Sequence, residues 1–184
     1  MRTPSKILIA TLGTALVVVL LSALVVYREV RERSLGSVDV AGPAFDVRVE
    51  SWSQWNGLAA RTGRHEILVR SAGESQWRPS ATVRTRLECL PSASGVVFAG
   101  AACGIAIDHV VACTPDGGLS WGVTDFGTIT QGPARESTVV ISVRLDADGA
   151  GTVTLGLERS PATAVATSAT ADFGRTWGPV VSVE

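Results

Sequence analysis

Two eight-residue segments, Thr114-Pro-Asp-Gly-Gly-Leu-Ser-Trp121 and Thr170-Ala-Asp-Phe-Gly-Arg-Thr-Trp177, share one pattern. Each has a hydroxyl residue, an Asp two positions on, a Gly at the fifth position, a second hydroxyl residue and a closing Trp. These residue types predict a tight turn between two strands. Asp116 and Asp172 accept hydrogen bonds from turn amides, and Gly118 and Gly174 take a left-handed conformation without a Cβ penalty. Ser120 and Thr176 tie the turn to its neighbour, while Trp121 and Trp177 cover its side with apolar surface.

The flanking sequence agrees, because its apolar spacing is two and not 3.6. Val139, Ile141, Val143 and Leu145 alternate with Ser142 and Arg144, and Val153, Leu155 and Leu157 alternate with Thr154 and Glu158. Asp146 to Gly151 between them supplies turn residues, so the two runs are expected to fold back as a hairpin. Further strands are expected at 46–52, 66–71, 95–99, 104–107, 110–114, 163–170 and 179–183, and no helix after residue 27.

The two segments resemble the Asp-box, or BNR, repeat of sialidases and related β-propeller proteins. A third, degraded copy is a candidate at Arg70 to Trp77, where Ala72 and Glu74 stand at the Asp and Gly positions. In those families the motif is a fold element on the outer side of a blade, so the resemblance implies architecture and not catalysis. Trp77, Trp121 and Trp177 are 44 and 56 residues apart, near one blade each. The expected fold is an all-β domain of about three Asp-box units, either a partial propeller or a sandwich. Three units leave edges to cover, by a partner or by a second copy completing a six-bladed ring.

Residues 7–27, ILIATLGTALVVVLLSALVVY, contain no charge. At 1.5 Å per residue 21 residues span about 31 Å, enough for one crossing of a bilayer. A cleaved signal peptide fits less well, since Leu21 occupies the wrong place for cleavage after Ala23. The expected organisation is a short tail at 1–6, a transmembrane helix at 7–27, a linker at 28–44 broken by Ala41-Gly42-Pro43, and the Asp-box β domain at 45–184. Arginines and a lysine flank the apolar run on both sides, so the positive-inside rule gives no orientation. Cysteine usage and the resemblance favour a C-terminal domain outside the cytoplasm.

Beyond residue 33 the chain carries 11 Arg against 15 Asp and Glu, which excludes a basic nucleic-acid binder. Sialidases use a tyrosine nucleophile, whereas the one tyrosine here, Tyr27, ends the apolar run. That family's Arg-Ile-Pro motif is absent too, so sialidase activity is not expected. Glu50, Glu66, Glu88, Asp108 and Asp125 are available as carboxylates, but their spacing selects no pair. His65 and His109 lack metal-ligand spacing, and Asp146-x-Asp148 has Leu157 where a calcium loop needs its bidentate acid. Neither a metal nor a cofactor is expected. Cys89, Cys103 and Cys113 fit one bridge plus one free thiol, or three buried thiols. Trp52 and Trp55 form a candidate aromatic patch for a protein, a sugar or a lipid surface, with core packing as the alternative for one of them.

The chain is therefore expected to be a non-catalytic, membrane-anchored accessory subunit whose β domain binds a larger membrane protein complex, photosynthetic or respiratory in the specific version. A homodimer is a second expectation for its partner. The alternative is a glycan-binding module at the cell surface, and a carboxylate glycosidase ranks last.

Overall fold

The computed structural model describes residues 17–23, 32–55, 61–131 and 134–183. Beyond the N-terminal segment the described residues are all-β, with thirteen strands in three antiparallel sheets. The first sheet runs β1 (Glu32–Val40), β2 (Phe45–Trp55), β3 (Arg61–Ser71), β4 (Arg78–Thr85) in chain order. The second runs β5 (Val96–Ala99), β6 (Ala102–Ile107), β7 (Val110–Thr114), β8 (Gly122–Asp125), entered through a 3-10 turn at Ala93–Gly95. The third has β9 (Thr128–Gln131), β10 (Ala134–Leu145), β11 (Gly151–Leu157), β12 (Ser160–Thr170) and β13 (Val181–Ser182). Each sheet is a meander of consecutive hairpins, the arrangement that period-two chains with short turns reach most directly.

The sheets stack with two apolar cores between them. Phe45, Val47, Val49, Ile67, Val69 and Val83 of the first sheet meet Cys103, Ile105 and Ile107 of the second. On the other side Val111 and Cys113 meet Val143, Leu145, Val153, Leu155 and Ala166 of the third. The middle sheet is buried on both faces, hence its unbroken apolar runs in β6 and β7. The outer sheets alternate, as strands with one wet face must.

Both outward faces of this stack are rich in polar side chains. On the first sheet they carry Asp46, Arg48, Glu50, Arg64, Glu66 and Arg70. On the third, Ser142 pairs with Thr154, Arg144 with Thr152 and Thr154 with Thr167. The stack thus terminates at each side in the way that repeat arrays do.

Several expected boundaries move. The expected linker 28–44 contains β1, whose polar sequence gives no apolar alternation and which becomes a strand by pairing with β2 from Glu32↔Gln54 to Val40↔Val47. The β domain therefore starts at residue 32 and not at 45. β4 and β8 also lacked an apolar signal, and the expected strand 179–183 shrinks to Val181–Ser182. The expected span 7–27 lies mostly outside the described residues; its described part, 17–23, is helical with its valines and leucines exposed. Among the described residues no helix is long and apolar enough to cross a membrane.

Candidate functional site

The hairpin meanders give the domain two distinct ends. At one, here called the rim, lie the turns after β1, β3, β5, β7, β10 and β12, including both eight-residue repeats. At the other, the base, lie the start of β1, the β2–β3 hairpin, the β6–β7 turn and the crossover from Thr85 to Ser92.

The two repeats have the same internal wiring. Thr114 Oγ1 donates to Asp116 at 2.8 Å and accepts from the Gly118 amide at 3.0 Å; Thr170 does the same to Asp172 at 2.7 Å and from Gly174 at 3.0 Å. Asp116 accepts from the amide of Ser120 at 2.9 Å and from its hydroxyl at 2.5 Å, and Asp172 from the amide and hydroxyl of Thr176 at 2.9 and 2.6 Å. Desolvation works to raise the Asp116 carboxyl, and the bonds from Ser120, Thr114 and the Leu119 amide outweigh it, holding it at about 2. For Asp172 the hydroxyl and amide of Thr176 lead, with the same result of about 2.

Each repeat is also a docking element for the preceding sheet. Gly118 and Gly174 have φ of +84° and +76°, and a Cβ on either would strike Val69 of β3 or Cys113 of β7. Glycine is required twice over, by backbone conformation and by close approach. The degraded segment 70–77 sits at the corresponding β3–β4 connection, with Gly73 at φ +86° and the Glu74 amide bonded to the Ser71 carbonyl at 3.0 Å. It keeps the place of a repeat and its Trp, without the Asp bonds.

Trp77 belongs instead to the outward face of the first sheet. Its ring lies 4.6 Å from both Arg48 Cζ and Arg70 Cζ, and the Trp52 ring lies 5.2 Å from Arg64 Cζ. The guanidiniums are held in turn by carboxylates: Arg48 by Asp39 at 2.5 Å, Arg70 by Asp46 at 2.5 Å, and Arg64 by Glu32 at 2.8 Å and by Glu66. Bonding to Arg48 holds Asp39 below its ordinary range, and bonding to Gln54 and Arg64 does so for Glu32. The result is a half-exposed plane of arginine, indole and acid.

This arrangement corrects the sequence-based aromatic patch. Trp52 and Trp55 are three residues apart on a strand with unbroken register, so they fall on opposite faces. Trp52 shares its face with Trp77 and not with Trp55, which ends β2 at the base. Sequence spacing held the parity argument; the pairing of Trp52 with Trp77 needed the sheet.

The cysteines are all free. Cys103 pairs in register with Thr114 and Gly104 with Cys113, so the two thiols on neighbouring strands point to opposite faces and into different cores. Cys89 packs against the first core. Burial pushes the Cys89 thiol up to about 11 and Cys113 to about 12, with Cys103 higher still. These are buried thiols and not thiolate nucleophiles, and of the two expected arrangements the structure has the three thiols and not the bridge.

Of the five carboxylates noted in the sequence, register brings Glu50 opposite Glu66 on the open outward face, beside Arg48 and Arg64. Asp108 and Asp125 flank His109: Nδ1 donates to Asp108 at 2.6 Å, and Nε2 lies 3.7 Å from Asp125. Asp108 takes φ +54° in the two-residue β6–β7 turn and also accepts from the Leu87 amide at 3.3 Å, so this cluster fastens the base crossover. His65 is fully buried between Ser51 and Thr85 at 2.9 Å each. Thr85 Oγ1 donates to the Leu87 carbonyl at 2.8 Å, so it accepts from His65 Nε2–H and leaves Nδ1 to accept from Ser51. The sequence marked neither network, since both join residues at least 14 positions apart or share a turn by register. Among the described residues no cluster of three or more His, Cys, Asp or Glu is placed to hold a metal.

No protein family matches the chain, and no curated protein does either.

Proposed function

We propose that this chain is a non-catalytic, membrane-anchored accessory protein whose β domain binds a larger membrane protein complex. The observation that carries this reading is the outward face of the first sheet, where Arg48, Arg64 and Arg70 stack on Trp52 and Trp77 while remaining half-exposed. Arginine and tryptophan are the residues that dominate protein interfaces, and preset guanidiniums lose little freedom on binding. The uncharged run 7–27 supports a single-pass anchor, with the domain outside the cytoplasm. The wiring of the two repeats supports the Asp-box resemblance, and with it a structural role for Thr114, Asp116, Gly118, Ser120 and Trp121 and for Thr170, Asp172, Gly174, Thr176 and Trp177.

The glycan-binding alternative weighs less, because its stacking pair Trp52 and Trp55 is split between two faces. A six-bladed homodimer is not part of this reading either. A further sheet would have to stack on the ion-paired face, where Arg48, Arg64 and Arg70 already cover Trp52 and Trp77, or on Ser142, Arg144, Thr152 and Thr154.

The test is the composition of the full-length protein extracted from its own membranes in mild detergent, as wild type and as the double variant Arg70→Glu/Trp77→Ala. A stoichiometric partner held by wild type and lost from a variant that still melts cooperatively supports the proposal. A partner retained equally by both moves the interface elsewhere, and a lone monomer refutes the accessory role.

A further inference from the structure

The two terminal faces of the stack are unlike. On the first sheet Asp39, Arg48, Glu50, Arg64, Glu66 and Arg70 make a charged surface. Across β11, β12, β13 and the part of β10 from Val139 onward, the outward face of the third sheet has one charged side chain among the described residues. That is Arg144, at the rim end and held by Asp146 at 3.0 Å. Register fixes what stands there instead. Thr154 pairs with Thr167 and Thr167 with Val181, so these three share one level of the face, and Val183, two residues on, faces the same way. Leu155 points into the second core, so Gly156 faces outward. The bulge between Val140 and Ser142 inserts Ile141, whose Cδ1 lies 2.9 Å from where a Cβ on Gly156 would stand, so Ile141 covers that glycine on the outward side. Ile141 is 39% exposed, Val181 59% and Val183 48%.

This face is complementary to itself. Its strands lie in the order β10, β11, β12, β13, so a two-fold axis parallel to them and passing between β11 and β12 lays β10 of one copy over β13 of a second. Ile141 then meets Val181 and Val183 of the second copy on either side of the axis, and Thr154 meets Thr167 beside it. The centre holds β-branched side chains and no charge, the composition of an interface core. An axis in this direction also keeps both bases on one side, as two copies anchored in a common bilayer through residues 7–27 require. Four strands about 4.8 Å apart, each contributing about seven residues at about 3.3 Å, cover about 440 Å2 per copy. Twice that area stands at the lower limit for a specific contact, and confinement to one membrane raises the local concentration of the second copy enough to fill it.

We propose that the outward face of the third sheet is a homodimer interface, closed by a second copy of this chain about a two-fold axis parallel to the strands. The common orientation of the two copies rests on the anchored reading above; the choice of face does not. The pairing differs from a six-bladed ring, in which each junction sets the charged first face against the third. Here the two first faces stay free at the ends of a six-sheet stack, so each dimer presents the arginine–indole surface twice.

The test uses the full chain in its own membranes, with the photo-reactive residue p-benzoylphenylalanine in place of Thr152 on the third-sheet face or of Thr82 on the first. Both positions are exposed, Thr152 opposite Arg144 and Thr82 opposite Glu66. The variants are first matched for cooperative melting. Irradiation is expected to give a product of twice the chain's mass from position 152 and not from 82. That product is expected to fall about tenfold when Thr167→Glu sets two carboxylates against each other across the axis, and to survive Thr167→Val. Equal dimer products from both positions place the contact in the apolar run and overturn the proposal. A dimer product indifferent to Thr167→Glu also overturns it, as does a product of another mass, or none, from position 152. The accessory reading is scored separately, by an adduct with a larger complex from position 82. Its absence beside a dimer at 152 removes the accessory role and leaves the dimer, and the reverse result removes the dimer alone.

Discussion

Trp121 Nε1 donates to the hydroxyl of Ser80 at 2.8 Å, joining the first repeat to β4 of the neighbouring sheet, and Ser80 donates onward to the Gly118 carbonyl. Trp177, the same residue of the second repeat, packs half-buried against Phe126, and its buried Nε1 has no hydrogen-bond partner among the described residues. The Gly174 carbonyl, counterpart of the Gly118 carbonyl that Ser80 bonds, faces Gly122, where an added Cβ would stand 3.5 Å from it. A serine there brings a hydroxyl to that carbonyl, as Ser80 does in the first repeat. Gly122→Ser is expected to stabilise the domain by about 0.5–1.5 kcal/mol, and Ser80→Ala to destabilise it similarly. Thermal and denaturant melts of the two variants check both signs; a lower melting temperature for Gly122→Ser would mean that the added hydroxyl does not reach the Gly174 carbonyl.

Removing the turn acids tests the wiring of the repeats. Asp116→Ala leaves the Ser120 amide and the Thr114 and Ser120 hydroxyls without their acceptor, and is expected to cost about 1–3 kcal/mol. Asp172→Ala is expected to lower the melting temperature as well. Unchanged denaturation midpoints in both variants would mean that these turns do not depend on their acids.

Acid should act through the same carboxylates. Both have folded pKa values of about 2, below the ordinary 3.8. Their contribution is therefore complete above the unfolded value and is lost as pH falls from about 4 toward 2. Asp116→Asn/Asp172→Asn should flatten stability against pH in that window alone, a comparison that denaturant melts at stepped pH provide.

His65 titrates in a separate window. Its burial lowers the folded pKa to about 4 from 6.5, so between those values the unfolded chain binds a proton that the folded chain does not. Stability then falls as pH drops from about 6.5 to 4, by up to about 3 kcal/mol, and is unaffected above. His65→Gln, although less stable at neutral pH, should lose this slope. A slope retained in the variant would assign it to another group.

The thiols give a simpler expectation. Alkylation of the purified protein after denaturation without reductant should modify Cys89, Cys103 and Cys113 fully, and dithiothreitol should leave the melting temperature unchanged. One alkylated thiol and a mass two hydrogens short would restore the bridge.

How far the sequence carried these conclusions differs from residue to residue. Val143, Leu145, Val153 and Leu155 announced their strands because a half-buried strand writes its burial into its own alternation, and the repeats announced their turns because Asp, Gly and hydroxyl side chains bond within a few residues. β1 was illegible for the converse reason. Ser34, Ser37 and Asp39 have no apolar alternation, and only pairing with β2 and the Arg48–Asp39 ion pair make that segment a strand.

The sequence by itself determined the uncharged run, the all-β character after it and the two turns, since each is local chemistry repeated along the chain. The tertiary structure alone decided which groups meet across it. It placed Cys103 and Cys113 in different cores, separated Trp52 from Trp55 and gave Trp52 the company of Trp77, and left polar surfaces on both sides of the stack. Those outcomes depend on strand register and on which sheet covers which, and a one-residue slip reverses every facing, so no short-range pattern records them.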